Sequence, residues 1–217
     1  SFFHLGGWSE LGHLPYLGNY IDDARYAKWR NLRKEPAGRW LAATCNGFLI
    51  RPPYGKDYRP RTVFFKEEEP LWISPVWGLT MLVVKSMKKF GWPSRFTDYR
   101  NIMLEDLAVV MNENGGSIST ETIFPDERIK QFTGIGITPL AGSLNNDVAL
   151  VPHEATVAEG SLQEHLFFSF LIGFLLRCRD GFAVSSRDEN FEELLSEMLS
   201  LFFRQHGNEQ PGDLKIV

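Results

Sequence analysis

The sequence has few cysteines and no sign of a disulfide framework. Cys45 and Cys178 are the two cysteines among 217 residues, and their separation excludes the CxxC spacing of a redox or zinc motif. Both lie in apolar runs, so we expect two buried, reduced thiols and a reducing compartment. The N-terminal residues lack a basic region followed by a long apolar core, so we do not expect them to form a signal peptide.

Long hydrophobic runs are also missing. The most apolar run, "LFFSFLIGFLL" at residues 166–176, has 11 residues, whereas a membrane-spanning helix needs about 20. We therefore expect a buried core helix at this position and no membrane insertion. Together with the reduced thiols, this predicts a cytoplasmic protein.

The sequence has no excess of positive charge. Its net charge is −4, and because a nucleic-acid partner usually leaves a clustered basic footprint, none is expected. Aromatic residues, in contrast, are abundant. The 17 Phe and 6 Trp predict large packed contacts, inside the fold or between subunits. An apolar content of 43% supports a sizeable core in one large domain or two small ones.

Motifs of the common catalytic and nucleotide-binding sites are absent. No GxxxxGK[ST] occurs, and Gly134 and Gly136 fit a helix end and a turn better than a dinucleotide loop. "HEATV" has Val157 where a zinc-protease helix needs its second histidine, and the five histidines are scattered. "GGSIS" lacks the closing glycine of a nucleophile elbow. The sequence predicts no catalytic, cofactor-binding or metal-ligating residues.

Helical and strand-like patterns both occur, and they predict an α/β fold of the mixed α+β kind, with a central mixed sheet flanked by helices. The best-defined helix has Ser74 as N-cap, Pro75 as first residue and Gly91 as its C-terminal stop. Its predicted apolar stripe consists of Val76, Leu79, Val83, Met87 and Phe90. The other expected helices are residues 22–34, residues 126–132 capped by Asp126, and two long helices opening with capping boxes at Ser161/Glu164 and Ser186/Glu189. The expected strands are residues 39–51, 62–66, 117–124, 136–142, 147–151 and 211–217.

The stretch "FLIRPPYG" ends the longest predicted strand abruptly. Pro52 and Pro53 lack the N–H that a sheet ladder needs, so pairing must stop there. Arg51 and Tyr54 stand on either side of the break. We expect them to hold the turn or to contact a neighbouring subunit.

Several charged residues stand in apolar surroundings and are the candidates for ion pairs. They are Arg39, Arg51, Glu121, Asp126, Arg128 and Asp147. Each is interpreted either as a charge neutralised within its own fold or as half of an ion pair between subunits, where a planar guanidinium suits a carboxylate. The acidic runs at residues 22–23 and 67–69 predict a helix cap and a solvated turn, with a cleft carboxylate pair as the alternative.

Several stretches, taken in order, resemble one family. They are residues 7–11, 27–33, 39–55, 71–92, 120–122, 126–128, 136–140 and 146–149, followed by apolar helices at 162–178 and 190–205. This series resembles the large subunit of the contractile sheath of the bacterial type VI secretion system, the TssC/VipB family, whose architecture is similar to phage-tail sheaths. The chain departs from the family pattern at Thr122, Glu127 and Ile137.

The resemblance implies a structural role without a cofactor. A member of this family would pair with the small sheath subunit (TssB/VipA type), polymerise helically around an inner tube, attach to a baseplate, and propel the tube on contraction. Because family members are longer, residues 1–217 are expected to be a single domain from the middle to C-terminal part of a larger subunit, with a helical portion at 159–206. The final strand would be completed by strands of neighbouring subunits.

Two alternatives belong to other functional classes. One is a cytoplasmic α/β enzyme, hydrolase-like, with an unrecognised acidic site, which a deep pocket with convergent, pKa-shifted acids would favour. The other is a baseplate or adaptor protein that shares the sheath fold without polymerising. Flat apolar patches and unpaired sheet edges would favour the sheath interpretation over the enzyme.

Overall fold

The computed structural model describes residues 1–56, 58, 65–112, 115–185 and 191–205. The α-helices of this part are α1 (Leu17–Ile21), α2 (Ala27–Lys34), α3 (Pro75–Phe90), α4 (Asp126–Gly134), α5 (Leu162–Ser185) and α6 (Phe191–Gln205). The strands are β1 (Phe2–His4), β2 (Ala42–Cys45), β3 (Val110–Met111), β4 (Ser117–Ile118), β5 (Ile137–Pro139), β6 (Ala141–Gly142) and β7 (Ala149–Leu150). Small sheets flanked by helices confirm the predicted mixed α+β class.

A short parallel sheet forms the centre of the fold. Its strand order is β1-β2-β5, and β3–β4 and β6–β7 form separate antiparallel pairs. Every residue of β2 is buried, as expected for a strand covered on both faces. Ala43 and Cys45 pack on a cluster with α2 and α4, while Ala42 packs on a cluster with α3. This alternation follows from the two-residue period of a strand.

The predicted strand over residues 39–51 is wrong in its extent. Its first two residues belong to a 3₁₀ helix, Pro36–Trp40, and the strand ends at Cys45. Asn46 then adopts a left-handed conformation with φ 75°. Beyond it, Phe48 makes isolated antiparallel bridges to Ile73 and Thr120. A left-handed residue cannot continue a ladder, so one apolar run becomes a strand, a kink and a separate bridge.

The capping residues of α3 are confirmed. Ser74 Oγ accepts a hydrogen bond from the Val76 N–H, and Pro75 is the first helical residue. Gly91 ends the helix with φ 74°, a conformation that favours glycine. The predicted apolar stripe is only partly correct. The buried residues are Pro75, Gly78, Leu79, Leu82 and Ser86, so the buried face is rotated from the predicted one.

The predicted helix at 22–34 begins later than expected. A 3₁₀ turn, Ala24–Tyr26, comes first, and Asp23 caps it by accepting a hydrogen bond from the Arg25 N–H at 2.8 Å. The α-helical part, α2, then ends before Pro36 as predicted. Asp23 therefore organises a turn before the helix, and its acidic run is a cap as the sequence indicated.

Asp126 is not the cap of α4. The N-cap is Pro125, which provides no side-chain hydrogen bond, and Asp126 lies in the first turn, where its charge suits the helix dipole. The predicted strand 117–124 is reduced to Ser117–Ile118 and a bridge at Thr120. The segment between the predicted strands 136–142 and 147–151 is a turn, because β6 and β7 pair around it.

The long helix α5 is not the buried core helix that its apolar run predicted. Phe168, Ile172 and Leu176 are exposed. Its other side packs against α6 and Trp92, and the third cluster of buried residues lies there: Trp92, Leu199, Phe202 and Phe203. Ser161 Oγ accepts from the Glu164 N–H at 3.2 Å, which confirms the capping hydrogen bond, and Glu154 adds a second acceptor for the Leu162 N–H at 2.5 Å.

Both thiols are buried and free, as predicted. Burial raises the pKa of Cys45 and of Cys178, so neither thiol is poised to ionise. Three predictions fall wholly or partly outside the described residues: positions 62–64 of the strand at 62–66, the capping box at Ser186/Glu189, and the final strand at 211–217.

Candidate interaction surfaces

Arg51 and Tyr54 meet Glu67 in a closed loop, which we call the Arg51 clamp. Two guanidinium nitrogens of Arg51 donate to the two carboxylate oxygens of Glu67, each at 2.7 Å. The Tyr54 N–H donates to the same carboxylate at 2.7 Å, and the Tyr54 carbonyl accepts from the Glu67 N–H at 2.9 Å. The guanidinium carbon also lies 3.8 Å from the centre of the Tyr54 ring.

The electrostatics of the Arg51 clamp follow from this geometry. The hydrogen bonds from Arg51, and then the one from the Tyr54 N–H, lower the pKa of Glu67 from 4.5 to about 2. The Arg51 and Glu67 side chains are 24% and 20% exposed, so solvent screens the pair only in part. The break in "FLIRPPYG" is thus held by a bidentate ion pair within the chain.

An aromatic group lies beside the clamp. Tyr54 stacks on Tyr58 with ring centres 5.7 Å apart, and it meets Phe65 edge-on at 5.1 Å. Tyr58 and Phe65 are exposed, so this group presents apolar area to solvent at the point where the chain leaves the sheet.

Asp126 and Arg128 lie on α4 and make local contacts. Asp126 pairs with Lys130 at 2.7 Å and with His153 at 3.2 Å, and the bond from Lys130 is the main cause that lowers the pKa of Asp126. Arg128 donates to the Gln131 side chain at 2.9 Å. Asp126 is exposed, so its pairs stabilise the fold weakly.

The three other candidates are not part of the Arg51 clamp, and each lies in a different segment of the chain. Arg39 is exposed in the 3₁₀ helix that precedes β2, and Asp147 is exposed in the β6–β7 turn. Glu121 is half buried, and its N–H donates to the Gly47 carbonyl at 3.0 Å. The predicted residues therefore do not converge on one site.

The outward face of α3 carries an apolar stripe that sequence reasoning missed. Trp77, Met81 and Val84 are 63%, 47% and 59% exposed, and their spacing of four and three residues places them on one side of the helix. We call this set the outer α3 stripe. The helical spacing of these residues was visible in the sequence. The opposite face of α3 is also apolar and has the same spacing, so the sequence did not show which face is exposed. Exposed stripes of this kind mark interaction surfaces.

Helix α5 carries a second exposed stripe. Phe168, Ile172 and Leu176 repeat every four residues and are all exposed. We call this set the outer α5 stripe. It faces away from the cluster around Trp92, so α5 has apolar residues on both sides. A helix that is apolar all round suits burial against a further partner.

Three clefts in the described part of the chain differ from the pattern expected of an enzyme. They are lined by residues around Trp8 and Tyr26, around Glu121 and Leu144, and around Glu154 and Glu159. Among the described residues, the acids with a lowered pKa are Asp23, Glu67 and Asp126, and none of them lines these clefts. Each lowered pKa is explained by a cation or N–H donor beside the carboxylate.

In the described ranges of the chain, no group of three or more His, Cys, Asp or Glu is arranged to hold a metal ion. Nor is any helix in those ranges both long enough and apolar enough to cross a membrane.

Comparison with known families identifies the class of protein. The family model described as "VipB: EvpB/VC_A0108, tail sheath N-terminal domain" matches residues 1–158 of the 217. The chain is therefore a tail sheath protein. Within that class, it belongs to the VipB family of type VI secretion sheath subunits, as the resemblance indicated. A comparison with curated proteins finds no match. The matched range ends before α5, so the equivalence of α5 and α6 to helices of the family stays a prediction.

Proposed function

We propose that this chain acts as the large subunit of a type VI secretion sheath. It pairs with the small sheath subunit and polymerises helically around an inner tube above a baseplate. Contraction of the polymer then drives the tube outward. In this proposal the protein works in the bacterial cytoplasm and acts mechanically, without catalysing a reaction.

The outer α3 stripe is the observation that carries this proposal. Trp77, Met81 and Val84 expose apolar area on a helix whose other face is packed in the core. Apolar side chains in such a stripe gain about 25 cal/mol for each Å² they bury against a partner. A rigid, well-capped helix loses little conformational entropy on binding, which favours ordered assembly.

The edges of the central sheet offer a second means of association. β1 and β5 are the outer strands of the order β1-β2-β5. An exposed edge presents backbone N–H and C=O groups to an incoming strand, and strand addition is a common mode of recognition. Pro139 in β5 has no N–H to offer, so β1 is the better candidate for this role.

Transmission of force requires a subunit that moves as a rigid body. The Arg51 clamp supports this role, because it closes a chain break with a bidentate ion pair and an aromatic contact. The three clefts found among the described residues, in contrast, do not bring together the pKa-shifted acids that the hydrolase alternative needs.

The test is co-expression of the complete protein with the small sheath subunit encoded beside it, followed by affinity purification and negative-stain electron microscopy. We expect hollow tubules that contain both chains. Copurification of the two chains as small particles would favour the baseplate or adaptor alternative. Failure of the two chains to copurify would contradict the proposal.

A matched pair of variants separates assembly from folding. Trp77→Lys places a charge in the outer α3 stripe, and Trp40→Lys makes the same change at a tryptophan that is 61% exposed and lies outside α3. We expect Trp77→Lys to abolish tubules while thermal stability is retained. If Trp77→Lys formed tubules of normal length, the outer α3 stripe would not be part of the interface between subunits.

A further inference from the structure

Glu121 carries a half-buried carboxylate, and in the part of the chain that the structure describes no cation pairs with it. No residue in the described ranges gives its side chain a hydrogen bond or an ion pair. Glu67 and Asp126, in contrast, each pair with a cation. A carboxylate that has lost part of its hydration is stabilised by an incoming positive group. A positive group would therefore be the complementary ligand for the Glu121 carboxylate.

The backbone on both sides of Glu121 is held in place. The Glu121 N–H donates to the Gly47 carbonyl at 3.0 Å, and the Thr122 N–H donates to Asn46 Oδ1 at 2.9 Å. Glu121 Oε1 also lies so close to Gly47 that a Cβ atom there would be 3.0 Å from it. The carboxylate is thus positioned before any ligand arrives, which lowers the entropic cost of binding.

The surroundings of Glu121 form a cleft suited to a long side chain. The volume of the cleft is about 520 Å³. It is lined by His13, Asn112, Ile118, Glu121, Thr122, Ile123 and Leu144. Ile118, Ile123 and Leu144 supply apolar walls for a methylene stem, while the carboxylate can receive a charged head group. A cleft with apolar walls and one acid matches the build of a basic side chain.

We propose that this Glu121 cleft binds an arginine side chain of a neighbouring sheath subunit. A guanidinium forms two parallel hydrogen bonds with a carboxylate and is more weakly hydrated than an ammonium, so arginine suits a half-buried acid better than lysine. That the arginine comes from a sheath subunit rests on the proposed function. The preference of the cleft for a guanidinium rests on its own residues.

The chemistry of the cleft is tested on the unassembled protein. Isoleucine-methyl NMR follows Ile118 and Ile123 during titration with N-acetyl-arginine amide at about pH 8, where an ordinary histidine is neutral. N-acetyl-citrulline amide is the matched ligand, since it has nearly the same shape and no charge. We expect saturable shifts with an affinity of about millimolar for the arginine probe, and binding about tenfold weaker or worse for citrulline.

Two variants complete this titration. Glu121→Gln should weaken binding of the arginine probe about tenfold, while Asp147→Asn, which removes an exposed acid from the nearby turn, should leave it unchanged. Absence of saturable shifts, or equal binding of the two probes, would overturn the proposal. The ligand comparison alone decides this point should Glu121→Gln fail to fold.

The origin of the arginine is tested in the assembly. This test applies if the unmodified protein forms tubules. Glu121→Arg should then abolish the tubules, whereas Glu35→Arg, the same change at an exposed acid, should leave them unchanged. Normal tubules with Glu121→Arg would rule out a sheath subunit as the partner. A protein that forms no tubules contradicts the proposed function, and the arginine titration still decides what the cleft binds.

Discussion

Asn46 holds Thr122 by its backbone on both sides. The Thr122 N–H donates to Asn46 Oδ1 at 2.9 Å, and Asn46 Nδ2 donates to the Thr122 carbonyl at 2.9 Å. The same amide nitrogen donates to the Leu140 carbonyl at 2.6 Å. Where β2 ends, the buried Asn46 side chain therefore forms hydrogen bonds of the kind that a neighbouring strand would form. These bonds connect the segment before α4 with the segment after β5.

Replacement of Asn46 should be among the most destabilising changes in the chain. Asn46→Ala removes three hydrogen bonds from buried or partly buried backbone groups and leaves a left-handed residue without an amide side chain. We expect unfolding free energy to fall by about 3 kcal/mol or more in urea titrations. Asn46→Gly accepts the same φ, so it should be less damaging by about 1 kcal/mol. Equal losses would show that backbone strain contributes nothing.

The Arg51 clamp should make stability depend on pH in an acidic window. The pKa of Glu67 falls from 4.5 in an ordinary environment to about 2 in the fold, so the folded state favours the ionised form. Its contribution is complete above about pH 4.5 and is lost as the pH falls toward 2. Urea titrations should show the difference between wild type and Glu67→Gln shrinking across that window.

Arg51→Ala is the control for this pH dependence. It removes the main cause of the lowered pKa of Glu67 while leaving the carboxylate in place. We expect its stability to vary less between pH 5 and 2 than that of the wild type, as for Glu67→Gln. If the stability of Arg51→Ala depended on pH as that of the wild type does, other carboxylates would be the cause of the pH dependence.

The two faces of α3 should respond differently to truncation. Leu82 is fully buried, so Leu82→Ala should cost about 2–5 kcal/mol of unfolding free energy. Val84 lies two positions further on and is 59% exposed, so Val84→Ala should cost about 0.5 kcal/mol or less. Thermal denaturation measures both. A large loss for Val84→Ala in the isolated protein would mean that the outer α3 stripe is already covered.

Trp92 should control the docking of α6. Its ring lies 5.0 Å from Phe167 of α5 and 5.3 Å from Phe202 of α6. Trp92→Ala should cost about 3–5 kcal/mol. Hydrogen exchange should then show protection lost in α6 before β2, because α6 packs mainly through this cluster. Trp40→Ala, at a tryptophan that is 61% exposed, serves as the control and should leave α6 protected.

Local signals predicted the elements whose geometry depends on adjacent residues. Helix α3 begins and ends where it was predicted to, at Ser74, Pro75 and Gly91, because a cap needs only one side chain or one backbone conformation. The turn between β6 and β7 was predictable for the same reason. The Arg51 clamp was half predicted: Arg51 and Tyr54 were candidates, whereas Glu67 was interpreted as part of a solvated run, because its partner lies 16 residues away.

The sequence by itself determined the mixed α+β class, the family, the free thiols and the ends of α3, since composition, ordered motifs and caps are properties of the chain alone. Only the tertiary structure decided which apolar residues lie inside. The sequence predicted one strand over residues 39–51 and a core helix at α5. Both predictions were wrong because hydrophobicity alone does not show which other segments of the fold pack against a residue. The strand ends before Asn46, whose side chain hydrogen-bonds to Thr122 and Leu140, both distant in sequence. Helix α5 has an exposed stripe because the described part of the fold covers only its other side.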